Sequence, residues 1–248
     1  MSWNPDQYEQ FKAERAQPFH DLLALIHRQP GMRVLDLGCG TGELTRQLHE
    51  QLEAAETLGI DNSETMLLKS GAFEGEMLRF EKGDVEAFVT DRPYDMIFSN
   101  AALHWLQGHD RLIARLTSFL SPHGQLAIQM PDNAGHASHV VAGEVAQSMG
   151  FEPCRYDVLP VERYAELLHH LGYRRQHVRL QVYGHVLPSS SHVVEWVKGS
   201  LLSDYRARMP AEAYDRFLDA YTVRLLATIG DHSPYFYTYK RLLIWGEF

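Results

Sequence analysis

Apolar and polar positions alternate in two rhythms over the first half of the chain. Met32–Leu37, Thr57–Ile60, Met77–Lys82, Tyr94–Asn100 and Leu126–Met130 are short, largely apolar runs, as buried strands are. Between them the period lengthens: Leu44, Leu48 and Leu52 recur every four residues, which predicts a helix over Glu43–Leu52. A second helix is expected over Glu64–Ser70, with the Ser63 hydroxyl as its N-cap. Strand and helix in alternation from 32 to 130 predict βαβ units and a parallel sheet. Ahead of them, a helix is expected over Pro5–Arg15, capped by Asn4, with Tyr8, Phe11 and Arg15 near one face. Another is expected to follow Pro18 and run to about Arg28, with Leu22, Leu23, Leu25 and Ile26 as its core face, before Pro30-Gly31 ends it.

Beyond residue 130 the rhythm changes. Leu120–Gly124 reads as a helix end and turn, and Pro131–Gly135 as a loop. Helices are expected over Ser138–Met149, Tyr164–Leu171, His192–Ser200 and Ala211–Ile229, with strands over Gln176–Val186 and Tyr237–Phe248. The layout is α/β: a Rossmann-like, seven-stranded, mostly parallel sheet with helices on both faces. Helices at about 134–171 and 189–230 exceed what such a sheet needs and are expected to form a substrate cap. The chain then reads as a core over 1–133 and as cap insertions plus the last two strands over 134–248, within one structural domain.

Composition narrows the function. The 248 residues are 45% hydrophobic and 22% charged, ordinary for a globular protein with a sizeable core. A net charge of −9 opposes a nucleic-acid binder, which carries a basic patch. Two cysteines form no disulfide framework, and the 14 histidines lack the cysteine or acidic spacing of a metal site. No leader pattern or membrane-length apolar run is evident, so a cytoplasmic location with no membrane partner is expected.

The candidate chemistry lies at the end of the first strand. In Asp36-Leu37-Gly38-Cys39-Gly40-Thr41-Gly42 three glycines alternate, and glycine permits positive φ and close approach of a ligand to bare backbone. The spacing is G-x-G-x-G, with Thr45 where a dinucleotide fingerprint places its last glycine. Asp61 ends the next strand about twenty residues on, where a carboxylate binds ribose hydroxyls. Gly83-Asp84-Val85-Glu86 follows the third strand, and Asn100-Ala101-Ala102-Leu103-His104-Trp105 leaves the fourth. Together these motifs resemble the class I S-adenosylmethionine (SAM) methyltransferases. The resemblance implies SAM as cofactor, S-adenosylhomocysteine as product, and an antiparallel last strand. It assigns Asp36, Gly38, Gly40, Gly42, Asp61, Asn62, Asp84, Val85, Asn100 and Ala101 to cofactor binding. His104 and Trp105 fall at the methyl end, and Tyr8, Phe11 and Arg15 on a lid.

A narrower resemblance covers nearly the whole chain. Trp3–Pro18, Asn100–Leu106, Gln129-Met130-Pro131-Asp132-Asn133, Leu187–Ser190 and Glu195-Trp196-Val197 are similar to the trans-aconitate 2-methyltransferases. That family implies a small-molecule acceptor methylated on a carboxylate. The sequence departs from it in three places: Ser203 stands at about the position of an arginine, His104 where glutamine is expected, and the segment around Phe151–Pro160 is shorter. Arg15, Lys198, Arg206, Lys240 and Arg241 are the candidate cations for a polyacid. If the acceptor is instead a hydroxyl or an amine, His104 is the candidate base. A non-catalytic nucleotide-binding module is the reading from another class. A monomer or a homodimer is expected.

Overall fold

The apolar runs become the strands of one sheet. The computed structural model describes residues 12–248, with side chains from residue 16 onward. Its helices are α1 (Lys12–Leu23), α2 (Glu43–Leu52), α3 (Glu64–Ser70), α4 (His109–Thr117), α5 (Ala137–Ser148), α6 (Val161–His170), α7 (His192–Lys198), α8 (Leu201–Arg208) and α9 (Ala211–Ile229). Its strands are β1 (Arg33–Leu37), β2 (Glu56–Asp61), β3 (Leu78–Lys82), β4 (Tyr94–Asn100), β5 (Leu120–Pro131), β6 (Arg175–Leu187) and β7 (Tyr235–Glu247). The seven strands pair in the order β3-β2-β1-β4-β5-β7-β6. β1 to β5 pair in parallel and β7 lies antiparallel to β5. Chain order reverses between β1 and β4, so the crevice at their carboxyl ends is the switch point where α/β sheets bind ligands.

Both faces of the central strands are buried, which is why their sequences run apolar rather than alternating. One face carries Val34, Met96, Phe98, Ala127, Leu243 and Trp245 against Phe19 and Leu22 of α1 and Leu48 and Leu52 of α2. The other carries Leu35, Leu37, Ile97, Leu126, Ile128 and Ile244 against Leu112, Ile113 and Leu116 of α4 and Tyr164 and Leu168 of α6. The Ser63 cap forms as expected, accepting from the Met66 amide.

The chain divides into two compact units. One contains residues 16–131, 157–181 and 241–248, and the other residues 132–156 and 182–240. Within the second, α5, α7, α8 and α9 enclose an aromatic core in which Phe217 stacks on Tyr221 and packs on Tyr205. No described helix is long and apolar enough to cross a membrane.

Four expectations need correction. First, α1 runs through Pro18 rather than restarting after it, and it ends at Leu23. Pro18 and Phe19 are buried, and that packing offsets the amide hydrogen bond proline cannot make. Second, the expected turn at Leu120–Gly124 lies inside β5. Leu120 pairs with Tyr94, the register slips, and Gln125 pairs with Met96. A Cβ on Gly124 would stand 2.8 Å from that of Leu120, so the bulge requires glycine. Third, α8 is a separate helix. Leu201, Leu202 and Tyr205 bury it, but in eight residues they establish no clear period. Fourth, α6 is a layer on the sheet, with Tyr164 and Leu168 fully buried in that core, and not part of an added cap.

Phe98 tests this packing, because it is 1% exposed and meets Phe19 edge-on at 5.6 Å. Phe98→Ala is expected to cost about 3–5 kcal/mol in urea denaturation. Val89→Ala, at an 80% exposed position, should stay within about 0.5 kcal/mol. Equal losses at the two sites would contradict the packing described.

Candidate active site

The first unit gathers the sequence-chosen residues at the carboxyl ends of β1, β2 and β4. Gly38, Gly40 and Gly42 all have positive φ, at 78°, 56° and 80°. They serve different needs. A Cβ on Gly38 would stand 2.2 Å from that of Ala102, and one on Gly42 would stand 2.7 Å from the Phe80 ring. Those two are small because other parts of the protein press on them. A Cβ on Gly40 would meet nothing within 4 Å among the described residues. The bare backbone at Gly40 is therefore the part of the turn open to a ligand. The turn is held from below, since the Gly38 and Cys39 amides both donate to the Ile60 carbonyl, at 2.8 and 3.0 Å.

Asp36 is 4% exposed and takes a 2.6 Å hydrogen bond from the Thr45 hydroxyl of α2. Thr45 stands in place of a glycine because its side chain holds this carboxylate. Burial pushes the Asp36 carboxyl up to about 7, against the lowering effect of the Thr45 bond, with the nearby Asp61 charge adding to the rise. Asp61 is half-buried and accepts the Gly40 amide on Oδ2 and the Ser63 amide on Oδ1, each at 2.8 Å. Each of its oxygens retains a lone pair for a further donor. Asn62 beside it is exposed. Asp84 is exposed and its Oδ1 accepts the Glu86 amide at 2.8 Å, while Val85 is half-buried. Arg115 of α4 holds this loop by donating to the Val85 and Phe88 carbonyls. Nothing in its sequence spacing singles out Arg115.

The exit from β4 turns sharply. Ala101 has φ +56 and its amide donates to the Gln129 carbonyl at 2.9 Å. Leu103–Trp105 then form one 3₁₀ turn, with Trp105 51% exposed and its ring 4.6 Å from the His104 ring. His104 is 6% exposed, and burial together with the charges of Arg241 and His109 pushes its pKa down to about 3. A relay fixes this turn from behind. The Leu159 amide donates to the Tyr164 hydroxyl, which lies 2.5 Å from His109 Nδ1, and His109 Nε2 lies 3.0 Å from the Leu103 carbonyl. The carbonyl can only accept, so Nε2 carries the hydrogen of that bond. The sequence reading passed over this buried pair because its members lie 55 positions apart.

The candidate cations separate. Arg241, in the same unit, starts the stretch of β7 that pairs with β5, opposite Pro131. In the second unit Lys198 pairs with Glu195, Arg206 lies over the Tyr214 ring, and Lys240 is exposed. Ser203 is exposed on α8 and donates to the Ser200 carbonyl. Tyr8, Phe11 and the side chain of Arg15 lie outside the described residues.

These residues fit the cofactor that the motifs imply. Bare backbone is open at Gly40 among the described residues, and the carboxylates of Asp36 and Asp61 stand beside the turn, where an ammonium and a ribose would come. The family model for a methyltransferase domain matches residues 28–163. The trans-aconitate 2-methyltransferase of Deinococcus radiodurans is 42% identical over 98% of this chain and 97% of its own length. The enzyme of that name from Yersinia pestis is 35% identical over 98% and 95%. Among solved structures, Haemonchus contortus phosphoethanolamine N-methyltransferase 2 in complex with SAM superposes with a TM-score of 0.57 at 17% identity, over 93% of this chain and 52% of that one. A SAM-dependent methyltransferase from Mesorhizobium loti gives 0.52 at 20% identity, over 94% and 98%. The glycine turn, the switch-point crevice and these relatives agree, and the chain belongs to the class I SAM-dependent methyltransferases, within the trans-aconitate 2-methyltransferase family.

Proposed function

We propose that this methyltransferase acts on a carboxylate oxygen of a small organic acid, a trans-aconitate-like polyacid, and yields its monomethyl ester. The observation that carries the reading is His104. It is the titratable group that the motifs place at the methyl end, and it is held neutral down to a pKa of about 3 beside the positive Arg241. A base so weak is poorly matched to removing a proton from a hydroxyl or an ammonium near pH 7. A carboxylate needs no such help because it arrives ionised. The names of the relatives point the same way.

The residue roles follow from chemistry. Asp36 takes the ammonium of the cofactor's methionine part, and Asp61 the ribose hydroxyls. Asp84 and Val85 border the adenine, with Asn62 beside them, and the Gly38–Gly42 backbone and Asn100-Ala101 line the path between. When bound, the cofactor would supply an electrophilic methyl carried on a positive sulfonium, and an ionised carboxylate oxygen would need no proton removed to receive it. Arg241 holds the acceptor by paired hydrogen bonds to carboxylate oxygens. His104 and Trp105 wall the methyl end and exclude water, with Tyr8, Phe11 and Arg15 as the lid. The enzyme works in the cytoplasm.

Tritiated-methyl transfer over di- and tricarboxylic acids, phenols and small amines is expected to label acids, trans-aconitate among them. His104→Ala should retain turnover within a few fold, and the wild type should show no rate limb from this residue between pH 5 and 9. A hundredfold loss with unchanged S-adenosylhomocysteine affinity would restore His104 as a base. Arg241→Gln is expected to raise KM for the acid about 10-fold or more, with cofactor affinity unchanged; an unaltered KM would remove Arg241 from acceptor binding.

Asp36 provides a test of the cofactor side. With the ligand-free carboxyl at about 7, it is half protonated at neutral pH. An arriving ammonium favours the ionised form, so the pKa falls and a proton leaves. Calorimetry of S-adenosylhomocysteine binding at pH 7 in buffers of different ionisation enthalpy should show release of about half a proton. It should vanish in Asp36→Asn. Unchanged release in that variant would place the ammonium elsewhere.

A further inference from the structure

Gln129 stands outside every role assigned so far, although it closes the carboxyl end of β5. It is 2% exposed. Its Nε2 donates to Asn100 Oδ1 at 2.7 Å, while its Oε1 is buried and has no hydrogen-bond partner among the described residues. An amide oxygen buried without a donor is costly, and native proteins rarely leave one without a reason.

Its place on the sheet supplies the reason. Asp36 pairs with Phe98, Asn100 with Gln129, and Pro131 with Arg241. Side chains alternate along strands, so Asp36, Asn100, Gln129 and Arg241 project from the face that also carries Val34, Phe98, Ala127 and Leu243. Strand spacing and rise put the Gln129 Cα about 12 Å from that of Asp36 and about 8 Å from that of Arg241. With the methionine ammonium at Asp36, Gln129 lies beyond Asn100, on the side from which an acceptor held by Arg241 approaches the methyl group.

We propose that Gln129 binds the methyl acceptor, its Oε1 taking a hydrogen bond from an O–H that the acceptor carries next to its reacting carboxylate. The inference rests on the carboxylate reading and narrows it. The acceptor is a small acid with an un-ionised O–H, supplied by a hydroxyl or by a second carboxyl that remains protonated. Asn100 sets the polarity of the site. With Asn100 Oδ1 holding the Gln129 N–H, Oε1 is the atom left to face the acceptor. A carboxylate that stayed ionised at this point would meet a carbonyl oxygen and be repelled, so trans-aconitate, which has no hydroxyl, is taken with the carboxyl that faces Gln129 protonated.

The test uses the full chain, tritiated SAM and acid pairs that differ by one hydroxyl: malate against succinate, and citrate against tricarballylate. The hydroxy acid of each pair is expected to have the higher kcat/KM by about 10-fold or more, mostly through KM. Gln129→Met keeps the volume, loses the acceptor oxygen, and should bring each pair within about 2-fold, with S-adenosylhomocysteine affinity retained. If a protonated carboxyl is the donor, the acids without a hydroxyl gain rate as pH falls through their highest carboxyl pKa, in the wild type and not in Gln129→Met. Equal rates within pairs, no such gain at low pH and an indifferent variant would overturn the proposal while leaving carboxylate methylation intact. Loss of S-adenosylhomocysteine affinity in Gln129→Met would also overturn it, by moving Gln129 to the cofactor. Failure of the wild type to label any acid while it binds S-adenosylhomocysteine would sink the carboxylate reading itself. The wild-type acid pairs decide even if the variant does not fold.

Discussion

Two loops from neighbouring strands pass so closely that only a missing side chain lets them. Ala102 Cβ lies 2.2 Å from where a Cβ on Gly38 would be, and this contact joins the turn after β1 to the turn after β4. Both sides make a concession to it. Gly38 adopts positive φ, and Ala101, a residue with a Cβ, does the same at 56°. A non-glycine residue in that conformation costs about 1 kcal/mol or more. The hydrogen bond from its amide to the Gln129 carbonyl helps hold it there. The glycine turn and the turn that carries His104 meet at this crossing, so their relative position is set by packing and not by either loop alone.

From that crossing a gradient of charge runs along one edge of the sheet. It begins with the carboxyl of Asp36, passes the amides of Asn100 and Gln129, and ends at the guanidinium of Arg241. Such an order suits a cationic amino-acid end on one side and an acid on the other. His104 sits near the positive end, where a second cation would be repelled, and its burial there keeps it neutral. The same low-polarity surroundings keep Asp36 hard to ionise until a positive group arrives.

Behind the residues that face a ligand stands a layer that holds them. Thr45 fixes Asp36, Arg115 clamps the Val85–Phe88 loop, and Tyr164 acts through His109 on the turn that carries His104. Each link is a hydrogen bond to a buried or backbone acceptor with a single geometry. Such links give a site its accuracy, and they join segments far apart in the chain. The α6 helix provides one of them, which is why it belongs to the sheet's own layers rather than to an added cap.

The sequence by itself determined what depends on neighbours along the chain. The apolar runs gave the central strands, a four-residue period gave α2, the Ser63 cap marked α3, and an amphipathic stretch gave α9, each helix with its bounds. Three alternating glycines followed by a helix marked the cofactor turn, and Asp61 and Asp84 followed at the ends of their strands. It failed where distant groups compete with local preference. Pro18 stays inside a helix because its surroundings bury it, and a bulge takes the place of a turn at Leu120–Gly124 because β4 offers a partner there. Only the tertiary structure put Arg241 in the unit of Asp36 and Lys198, Arg206 and Lys240 in the other, set the proton affinities of Asp36 and His104, and exposed the unmet oxygen of Gln129. Those properties come from burial and from charges across strands, and a one-dimensional pattern contains neither.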